Sequence, residues 1–182
     1  MGYTYKEYKT WDEDIRVELM DGIPYMMASP DEWHQELVLE FGYQLKGLLK
    51  GRTCTPYIAP FDVRLFFEED ESDNVIVQPD VFVVCNPEKV FKQKSCNGVP
   101  DFIIEVLSEW SEGRDLIDKK KKYEKAGVKE YWVAGKEKLY IYILEGSKYT
   151  ESVIKITRML KQPIASLNGI IIDFRDVVDR YT

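Results

Sequence analysis

The chain contains a strand–helix–strand pattern in its central third. Residues 101–107, "DFIIEVL", form a short apolar run that is typical of a strand buried on both faces. Residues 112–126 place apolar side chains at helical spacing and end at Gly127, and residues 130–134, "EYWVA", form another strand. This succession predicts an α/β fold in which a helix connects two strands of one sheet.

Outside this unit, the pattern predicts antiparallel strands and a second helix. The "DG" pair at 21–22 separates two short strands in "RVELMDGIPYMM" and is a strong hairpin signal. Because hairpins and a strand–helix–strand unit coexist, we expect a single α/β domain over residues 1–182, with a mixed central β-sheet flanked by helices. The other predicted strands are 54–59, 62–67, 80–85, "KLYIYIL", "SVIKIT" and the start of "IIIDFRDVVDR", which then turns into a short helix.

A capping signal precedes the second helix. In "SPDE", Ser29 is the predicted N-cap, Pro30 fills the first turn and Glu32 completes a capping box. Apolar residues follow at helical spacing, and the helix is predicted to end near Gly51. The single histidine, His34, lies on the line of this apolar stripe, so it is either a residue at the edge of the core or a catalytic group.

Composition limits the class of protein. Hydrophobic residues make up 45% of the 182 residues, no apolar run reaches the ~18 residues of a membrane helix, and the N-terminus has no signal-peptide core. We therefore predict a cytoplasmic protein with no membrane partner. The formal net charge of −7 argues mildly against nonspecific nucleic-acid binding, although a local basic patch can override that total.

The cysteine and histidine content narrows the metal chemistry. Cys54, Cys85 and Cys96 are widely spaced and form no CxxC pair, which argues against a structural zinc site and against a disulfide framework. A single histidine removes most multi-histidine sites. Any metal would be held by oxygen ligands, which favours Mg²⁺ or Mn²⁺.

Two carboxylates lie at the start of, or inside, apolar strands. Asp80 precedes "VFVV", and Glu105 lies within "FIIEVL". A lone buried carboxylate loses its hydration, and two that meet on adjacent strands repel each other, so a divalent cation is a common way to stabilise both. The alternative is that Asp80 caps a strand end and Glu105 pairs with a lysine or with backbone amides.

The helix after the second acid supplies a cation that can face these carboxylates. At about 100° per residue, Lys119 falls on the apolar face one turn before Tyr123, and Lys120 lies on the margin of that face. An ammonium directed at the sheet would offset the acids or stabilise a reacting phosphate. The alternative is a packed stem with its charge in water. Asp115, four residues before Lys119, is at a favourable pairing distance.

The order and spacing of these motifs resemble those of the Uma2 family, formerly the domain of unknown function DUF820. The resemblance rests on "VQPDVFVV", "PDFIIEVLSEWS", the D-x3-K-x3-Y spacing of residues 115–123 and "GVKEYWV". With "VELMDGIPYMM" and "SPDEWH" included, it covers about residues 14 to 145. That family is assigned to the PD-(D/E)XK nuclease superfamily, so the resemblance implies a restriction-endonuclease-like core with an N-terminal hairpin.

The resemblance also implies roles for individual residues. Asp80 matches the aspartate of the motif and Glu105 its second acidic ligand, and the carbonyl of Val106 is a further ligand candidate for Mg²⁺ or Mn²⁺. The standard motif places its lysine two residues after the acid, where this chain has Leu107. Uma2-like sequences instead have a lysine on the following helix, and Lys119 matches it. Asp80, Glu105 and Lys119 are therefore the predicted catalytic set.

Accessory roles are predicted for four further residues. Glu18 matches the family's glutamate before the "DG" hairpin, where it is either an additional metal ligand or part of a cross-strand salt bridge. His34 is a candidate catalytic group, and Asp115 would orient the helical lysine. Ser108 either caps the following loop, the favoured interpretation, or hydrogen-bonds the site. Tyr123 is interpreted as a packing residue.

These observations predict a Mg²⁺-dependent endonuclease that hydrolyses phosphodiester bonds of DNA. The alternative is a catalytically silent nuclease-fold module that binds nucleic acid or a protein partner. A small-molecule hydrolase that pairs a cysteine with His34 ranks last, because no sequence pattern brings the two together. Residues 119–125 and the segment around Lys92 and Lys94 are the basic stretches most able to meet phosphates. The aromatic hairpin around "LYIYIL" suggests a homodimer edge.

Overall fold

The computed structural model describes residues 2–12, 14–90, 94–107 and 114–178. Within these ranges the helices are α1 (Tyr5–Tyr8), α2 (Glu32–Leu48), α3 (Lys120–Ala126) and α4 (Arg175–Val178), with 3-10 turns at Pro87–Lys89 and Ala165–Leu167 and a π-helical segment at Arg114–Lys119. The strands are β1 (Val17–Met20), β2 (Ile23–Met26), β3 (Thr55–Ile58), β4 (Asp62–Arg64), β5 (Ile76–Val77), β6 (Val81–Val84), β7 (Ser95–Asn97), β8 (Phe102–Val106), β9 (Glu130–Ala134), β10 (Lys138–Glu145), β11 (Lys148–Lys155), β12 (Lys161–Ile164) and β13 (Ile170–Asp173).

A mixed six-stranded sheet forms the centre of the fold, in the order β11-β10-β9-β8-β6-β3. Strands β8 and β9 are parallel and are connected through α3, whereas the other neighbours in this sheet are antiparallel. All residues of β6, β8 and β9 are buried, which explains their near-continuous apolar sequences. The predicted mixed α/β architecture is therefore confirmed.

Hydrophobic cores cover both faces of the central sheet. On one face, Phe41 and Leu45 of α2 pack with Phe102, Trp132 and the C-terminal strands. The second core contains residues of α3, of the central sheet and of a smaller sheet in the order β2-β1-β5-β4-β7. This double cover places the middle strands in a dry environment, where any charged side chain needs a partner.

The predicted N-terminal hairpin is confirmed. Strands β1 and β2 are antiparallel, with Met20 opposite Ile23, so Asp21 and Gly22 form the two-residue turn. Both turn residues have positive φ, 51° and 78°, as a type I′ turn requires. A side chain at position 22 would also meet the Cα of Gly2 at 2.8 Å, so glycine fits this position for two reasons.

Helix α2 starts later than the capping signal predicts. Its N-cap is Asp31, whose Oδ1 accepts the backbone N–H of His34 at 2.8 Å, so the predicted cap at Ser29 is wrong. The two signals overlap in sequence, and aspartate is at least as good an N-cap as serine. The helix ends at Leu48, and a turn continues to Gly51.

The strand that ends the central sheet is β11 rather than the aromatic strand "LYIYIL". Strand β10, which contains that sequence, pairs with β9 on one side and with β11 on the other. The edge strand β11 carries Lys148, Glu151 and Lys155, and charges of this kind oppose pairing with another chain. The predicted homodimer is not tested by these contacts and stays a prediction.

Cys54 and Cys85 form a disulfide bond, so the prediction against a disulfide was wrong. Thr55 pairs with Val84 in the antiparallel β3–β6 ladder, so the two cysteines are adjacent to a paired position on each strand. Cysteine spacing along the chain carries no information about this cross-strand register. The remaining thiol, Cys96, is buried, and burial raises its pKa to about 12, which leaves the cysteine–histidine hydrolase without a nucleophile.

None of the helices in the described ranges has the length and hydropathy needed to cross a bilayer. The predicted cytoplasmic location and the single-domain organisation over residues 1–182 stay predictions.

Reduction of the Cys54–Cys85 bond is expected to destabilise the fold. The bond closes a loop with a sequence separation of 31, and removing such a link typically costs about 2–4 kcal/mol of unfolding free energy. Urea denaturation with and without reductant measures this difference. The Cys54→Ser/Cys85→Ser double variant is the control, because reductant should leave its midpoint unchanged. Equal midpoints for the oxidised and reduced wild type would contradict the prediction.

Candidate active site

The two carboxylates meet where β6 and β8 pair in the central sheet. Strands β6 and β8 are antiparallel with Val81 opposite Ile104, so Asp80, the residue just before β6, lies next to Glu105 of β8. The backbone N–H of Asp80 donates to Glu105 Oε2 at 3.3 Å, and the backbone N–H of Val106 donates to Asp80 Oδ2 at 2.8 Å. Each carboxylate therefore accepts a backbone donor from the opposite strand, which offsets part of the cost of burying it.

Lys119 provides the cation that Glu105 needs in this dry position. Its Nζ lies 2.9 Å from Glu105 Oε1 and 2.9 Å from Glu18 Oε1, and its side chain is only 4% exposed. The lysine is the last residue of the π-helical segment Arg114–Lys119, where the helical connection between β8 and β9 packs over the sheet. Lys120 instead contacts the Tyr142 ring and pairs with Glu151, so Lys119 is the lysine directed at the acids.

Tyr123 is part of the same network, although its sequence context predicted only packing. Its hydroxyl donates to Glu105 Oε1 at 2.7 Å, and its side chain is fully buried. The predictive signal was the spacing: a tyrosine four residues after the inward lysine lies on the same helical face. A buried phenol also needs a hydrogen-bond partner. Tyr123 and Lys119 thus hold one oxygen of Glu105 together.

Glu18 forms an ion pair with Lys119 of the helical segment. Its side chain has 0% exposure, and besides Lys119 its Oε1 accepts the backbone N–H of Gln78 at 2.9 Å. Strand β1, all four of whose residues are buried, carries this glutamate at the cavity. The ammonium of Lys119 therefore bridges two carboxylates that come from different sheets.

His34 contacts the other acid. Its Nε2 lies 3.1 Å from Asp80 Oδ2, and the two side chains are 12% and 11% exposed. The cap at Asp31 sets the start of α2 and thereby directs this first-turn histidine toward the sheet. An Nε2–H tautomer of His34 would donate to this carboxylate oxygen.

A cavity of about 430 Å³ opens onto these groups. Glu18, His34, Asp80, Glu105 and Lys119 all line it, so the structure brings the predicted catalytic set and two predicted accessory residues into one space. The cavity is lined further by Arg16, by Gln35 and Ser29, and by apolar residues that include Met26, Met27, Val38 and Ile58. A charged floor beside an apolar wall suits a ligand with both an ionic and an apolar part.

Some predicted residues are not placed at the site. Ser108 lies outside the described residues, as does the side chain of Asp115. Lys92 also lies outside them. Leu107 packs against the second hydrophobic core, so the position of the standard motif's lysine is apolar in this chain.

The donor set fits Mg²⁺ better than a metal that needs a complete protein cage. Within the described ranges, no group of three or more His, Cys, Asp or Glu side chains is arranged to hold a metal. Mg²⁺ usually takes one or two carboxylates and completes its shell with water and substrate phosphate. Among the described residues, no donor reaches Asp80 Oδ1, so this oxygen is available at the cavity. Asp80 and Glu105 are the two carboxylates that match this requirement.

A second polar cluster is linked to Glu18 through Gln78. Gln78, which donates its backbone N–H to Glu18, also donates its side-chain Nε2 to Asp62 Oδ1 at 2.9 Å. The Tyr8 hydroxyl donates to the same Asp62 oxygen at 3.0 Å. Burial raises the pKa of the Asp62 carboxyl despite these two donors, and it also raises the pKa of Tyr8. Burial therefore makes the fold more stable when Asp62 is protonated, although the two donors favour its ionised form.

A mixed sheet with two buried carboxylates on adjacent strands, faced by an ammonium from the crossover helix, defines a restriction-endonuclease-like protein. The sequence matches the model of the Uma2 family, described as "Putative restriction endonuclease", over residues 5–172. The chain belongs to the Uma2 family.

A solved structure supports the same fold. The chain is similar to "a putative nuclease belonging to DUF820" from Anabaena variabilis ATCC 29413, with a TM-score of 0.76 and 14% sequence identity. The match covers 97% of this chain and 98% of that chain. No curated protein matches the sequence. At this identity the likeness shows the fold alone, and the predicted restriction-endonuclease-like core is confirmed.

Replacement of Lys119 by methionine is expected to destabilise the protein strongly. Glu18 and Glu105 would lose their shared cation, and removing one partner of a buried ion pair typically costs about 3–5 kcal/mol. Lys120→Met is the matched control, because the partly exposed pair with Glu151 is worth at most about 1 kcal/mol. Chemical denaturation of both variants measures the difference, and similar losses would contradict the prediction. Glu18→Gln in the Lys119→Met background should recover part of the loss.

Asp62→Asn is expected to gain stability relative to wild type as the pH rises. Because the pKa of Asp62 is raised in the folded state, the folded wild type binds more protons than the unfolded chain and loses stability as Asp62 ionises. Asparagine cannot ionise but can still accept from Tyr8 and Gln78. Unfolding free energies at about pH 3 and about pH 7 test this linkage. A difference between variant and wild type that does not change with pH would rule it out.

Proposed function

We propose that the protein is a metal-dependent endonuclease that hydrolyses phosphodiester bonds of DNA. The observation that carries the proposal is the meeting of Asp80, Glu105 and Lys119 at one cavity, although they come from separate segments of the chain. The Uma2 family is described as "Putative restriction endonuclease" and the structurally similar Anabaena protein as "a putative nuclease", which supports this class of activity. A nuclease implies a nucleic-acid substrate. The proposal goes further in two respects: it names DNA as that substrate, and it makes cleavage depend on a bound metal ion.

Asp80 and Glu105, with the carbonyl of Val106, would hold Mg²⁺ or Mn²⁺. A bound ion of this kind polarises a phosphate and lowers the pKa of water. The protein's own contribution is to hold the two carboxylates in fixed positions before substrate arrives. Tyr123 and Lys119 fix one oxygen of Glu105, while Val106 N–H and His34 fix one oxygen of Asp80.

Lys119 would have a second role toward the substrate. Its ammonium lines the cavity and is a compact point charge of the kind that stabilises charge developing on phosphoryl oxygens. In the structure its charge is shared between Glu18 and Glu105. Glu18 would therefore act as a positioning residue, because it fixes where this ammonium lies.

The second candidate function is a catalytically silent module that binds nucleic acid or a protein partner. The same network favours it in one respect, since Lys119 already has two carboxylate partners and both acids accept internal donors. The net charge of −7 also disfavours a general affinity for nucleic acid. The two candidates differ in turnover and in metal binding.

Cleavage assays separate the two candidates. We expect wild-type protein with Mg²⁺ or Mn²⁺ to cut DNA, and Asp80→Asn and Glu105→Gln each to lower the rate on the order of 100-fold or more. Glu130→Gln is the matched control, because Glu130 is a buried carboxylate on β9 that accepts from Trp132 and Ser166 and does not line the cavity. Equal losses in all three variants would point to general destabilisation.

Metal binding provides a readout that needs no substrate. Titration calorimetry with Mn²⁺ should show saturable binding by wild type and by Glu130→Gln, and its loss in Asp80→Asn and Glu105→Gln. Binding that survives both site substitutions would contradict the proposed ligand set. If wild type neither binds Mn²⁺ nor cleaves DNA or RNA, the silent module becomes the better description.

A further inference from the structure

The cavity contains a second cation that the proposed chemistry does not use. Arg16 lies one residue before β1 and lines the same cavity as Asp80, Glu105 and Lys119. The hairpin fixes its backbone, because its carbonyl oxygen accepts the N–H of Met27 at 3.0 Å. Its position is therefore set by the same strand that carries Glu18.

The guanidinium of Arg16 has unused donors. Its Nε is buried, and no acceptor among the described residues reaches it. No ion pair involving its side chain occurs in the described part of the chain either. Buried N–H groups in folded proteins are almost always hydrogen-bonded, and guanidinium is charged at every physiological pH. An unpartnered donor on a cavity wall therefore points to an acceptor that arrives from outside the chain.

The two cations of the cavity differ in what holds them. Lys119 is fixed by Glu18 and Glu105, at 2.9 Å each, so internal carboxylates already balance its charge. Arg16 has no such carboxylate among the described residues, although three acids line the same cavity. A polyanion that approaches these acids needs a compensating charge of this kind to enter.

The chemistry of guanidinium selects one class of acceptor. Its planar fork matches two oxygens on one anionic centre, as in a phosphodiester, and it pairs with them by parallel hydrogen bonds. Met26, Met27 and Ile58 on the cavity wall offer apolar contact beside that charge, and a nucleotide presents an apolar face next to its phosphate. A simple inorganic anion would use only the first of these features.

We propose that Arg16 is a substrate-binding residue whose guanidinium forms hydrogen bonds to a backbone phosphate of the nucleic acid, beside the carboxylates. The inference rests on the proposed function, and it assigns Arg16 to binding rather than to the hydrolytic step. It also gives an acidic protein a defined point of attachment for a polyanion. Binding would then depend on one guanidinium in the cavity more than on the exposed lysines of α3.

Binding assays without divalent metal test Arg16 separately from cleavage. The probes are short fluorescein-labelled duplex and single-stranded DNA in buffer with EDTA, measured by fluorescence anisotropy over a range of salt concentrations. We expect Arg16→Gln to weaken binding on the order of 10-fold and to lower the salt slope by about 0.9 for duplex DNA, the loss of one phosphate contact. Arg16→Lys should show the same salt dependence as wild type but weaker binding, because an ammonium cannot form the two parallel hydrogen bonds of a guanidinium.

Arg175→Gln is the matched control. Arg175 is an exposed arginine of α4 that pairs with Asp173 at 3.5 Å and does not line the cavity, and its loss changes the net charge by the same amount. Unfolding midpoints of all variants establish that they are folded. Wild-type affinity in Arg16→Gln, or equal weakening in Arg16→Gln and Arg175→Gln, would overturn the inference.

The outcomes for Arg16 and for the endonuclease proposal are distinguishable. Cleavage by wild type together with unchanged DNA affinity in Arg16→Gln overturns only the role of Arg16. DNA binding that requires Arg16, without cleavage in the presence of any divalent metal, overturns only the endonuclease proposal. Wild-type protein that binds neither form of DNA overturns the inference about Arg16.

Discussion

The buried ammonium of Lys119 is the interaction on which the site depends. Glu18 and Glu105 are almost completely buried, at 0% and 2% exposure, and their mutual repulsion would be severe without a cation between them. Lys119 contacts both at 2.9 Å. One side chain from the crossover helix thereby joins the smaller sheet, which carries Glu18, to the central sheet, which carries Glu105. The other contacts at the cavity, such as those of Tyr123 with Glu105 and of His34 with Asp80, hold individual carboxylate oxygens in place.

The source of the lysine follows from the topology. A lysine at position 107 would place its charge in an apolar environment, since Leu107 packs against the second core. The parallel β8–β9 pair requires a crossover, and that crossover passes over the carboxylates in any case. A lysine on the helical segment can therefore reach Glu105 without replacing an apolar side chain that packs on the second core. The lysine at position 119 therefore supplies the same positive charge beside the two carboxylates that the standard motif supplies with its lysine two residues after the acid.

Much of the fold and of the site could be predicted because local patterns encode it. Asp80 lies at the start of an apolar strand and Glu105 inside another, and helical spacing pointed to Lys119 or Lys120, of which the family resemblance selected Lys119. The disulfide could not be predicted in the same way, because it depends on strand register. Helical spacing places Tyr123 on the same face as Lys119, but it does not identify Glu105 as the acceptor of its hydroxyl, because that depends on how deeply the helix packs. The cap at Asp31 was missed for another reason: two nearby residues could both cap the helix, and sequence alone did not separate them.

The cavity also has a consequence for how the protein folds. Its polar groups come from β1 and β8, from the residues just before β1 and β6, from α2 and from the crossover segment, so no short stretch of chain contains them together. Contacts between such distant segments are slow to form, because loop closure must precede them. A partly folded chain would carry each acid separately, hydrated and far from its cation. The charge pattern of the cavity is therefore a property of the assembled sheets, and it disappears as a whole when they separate.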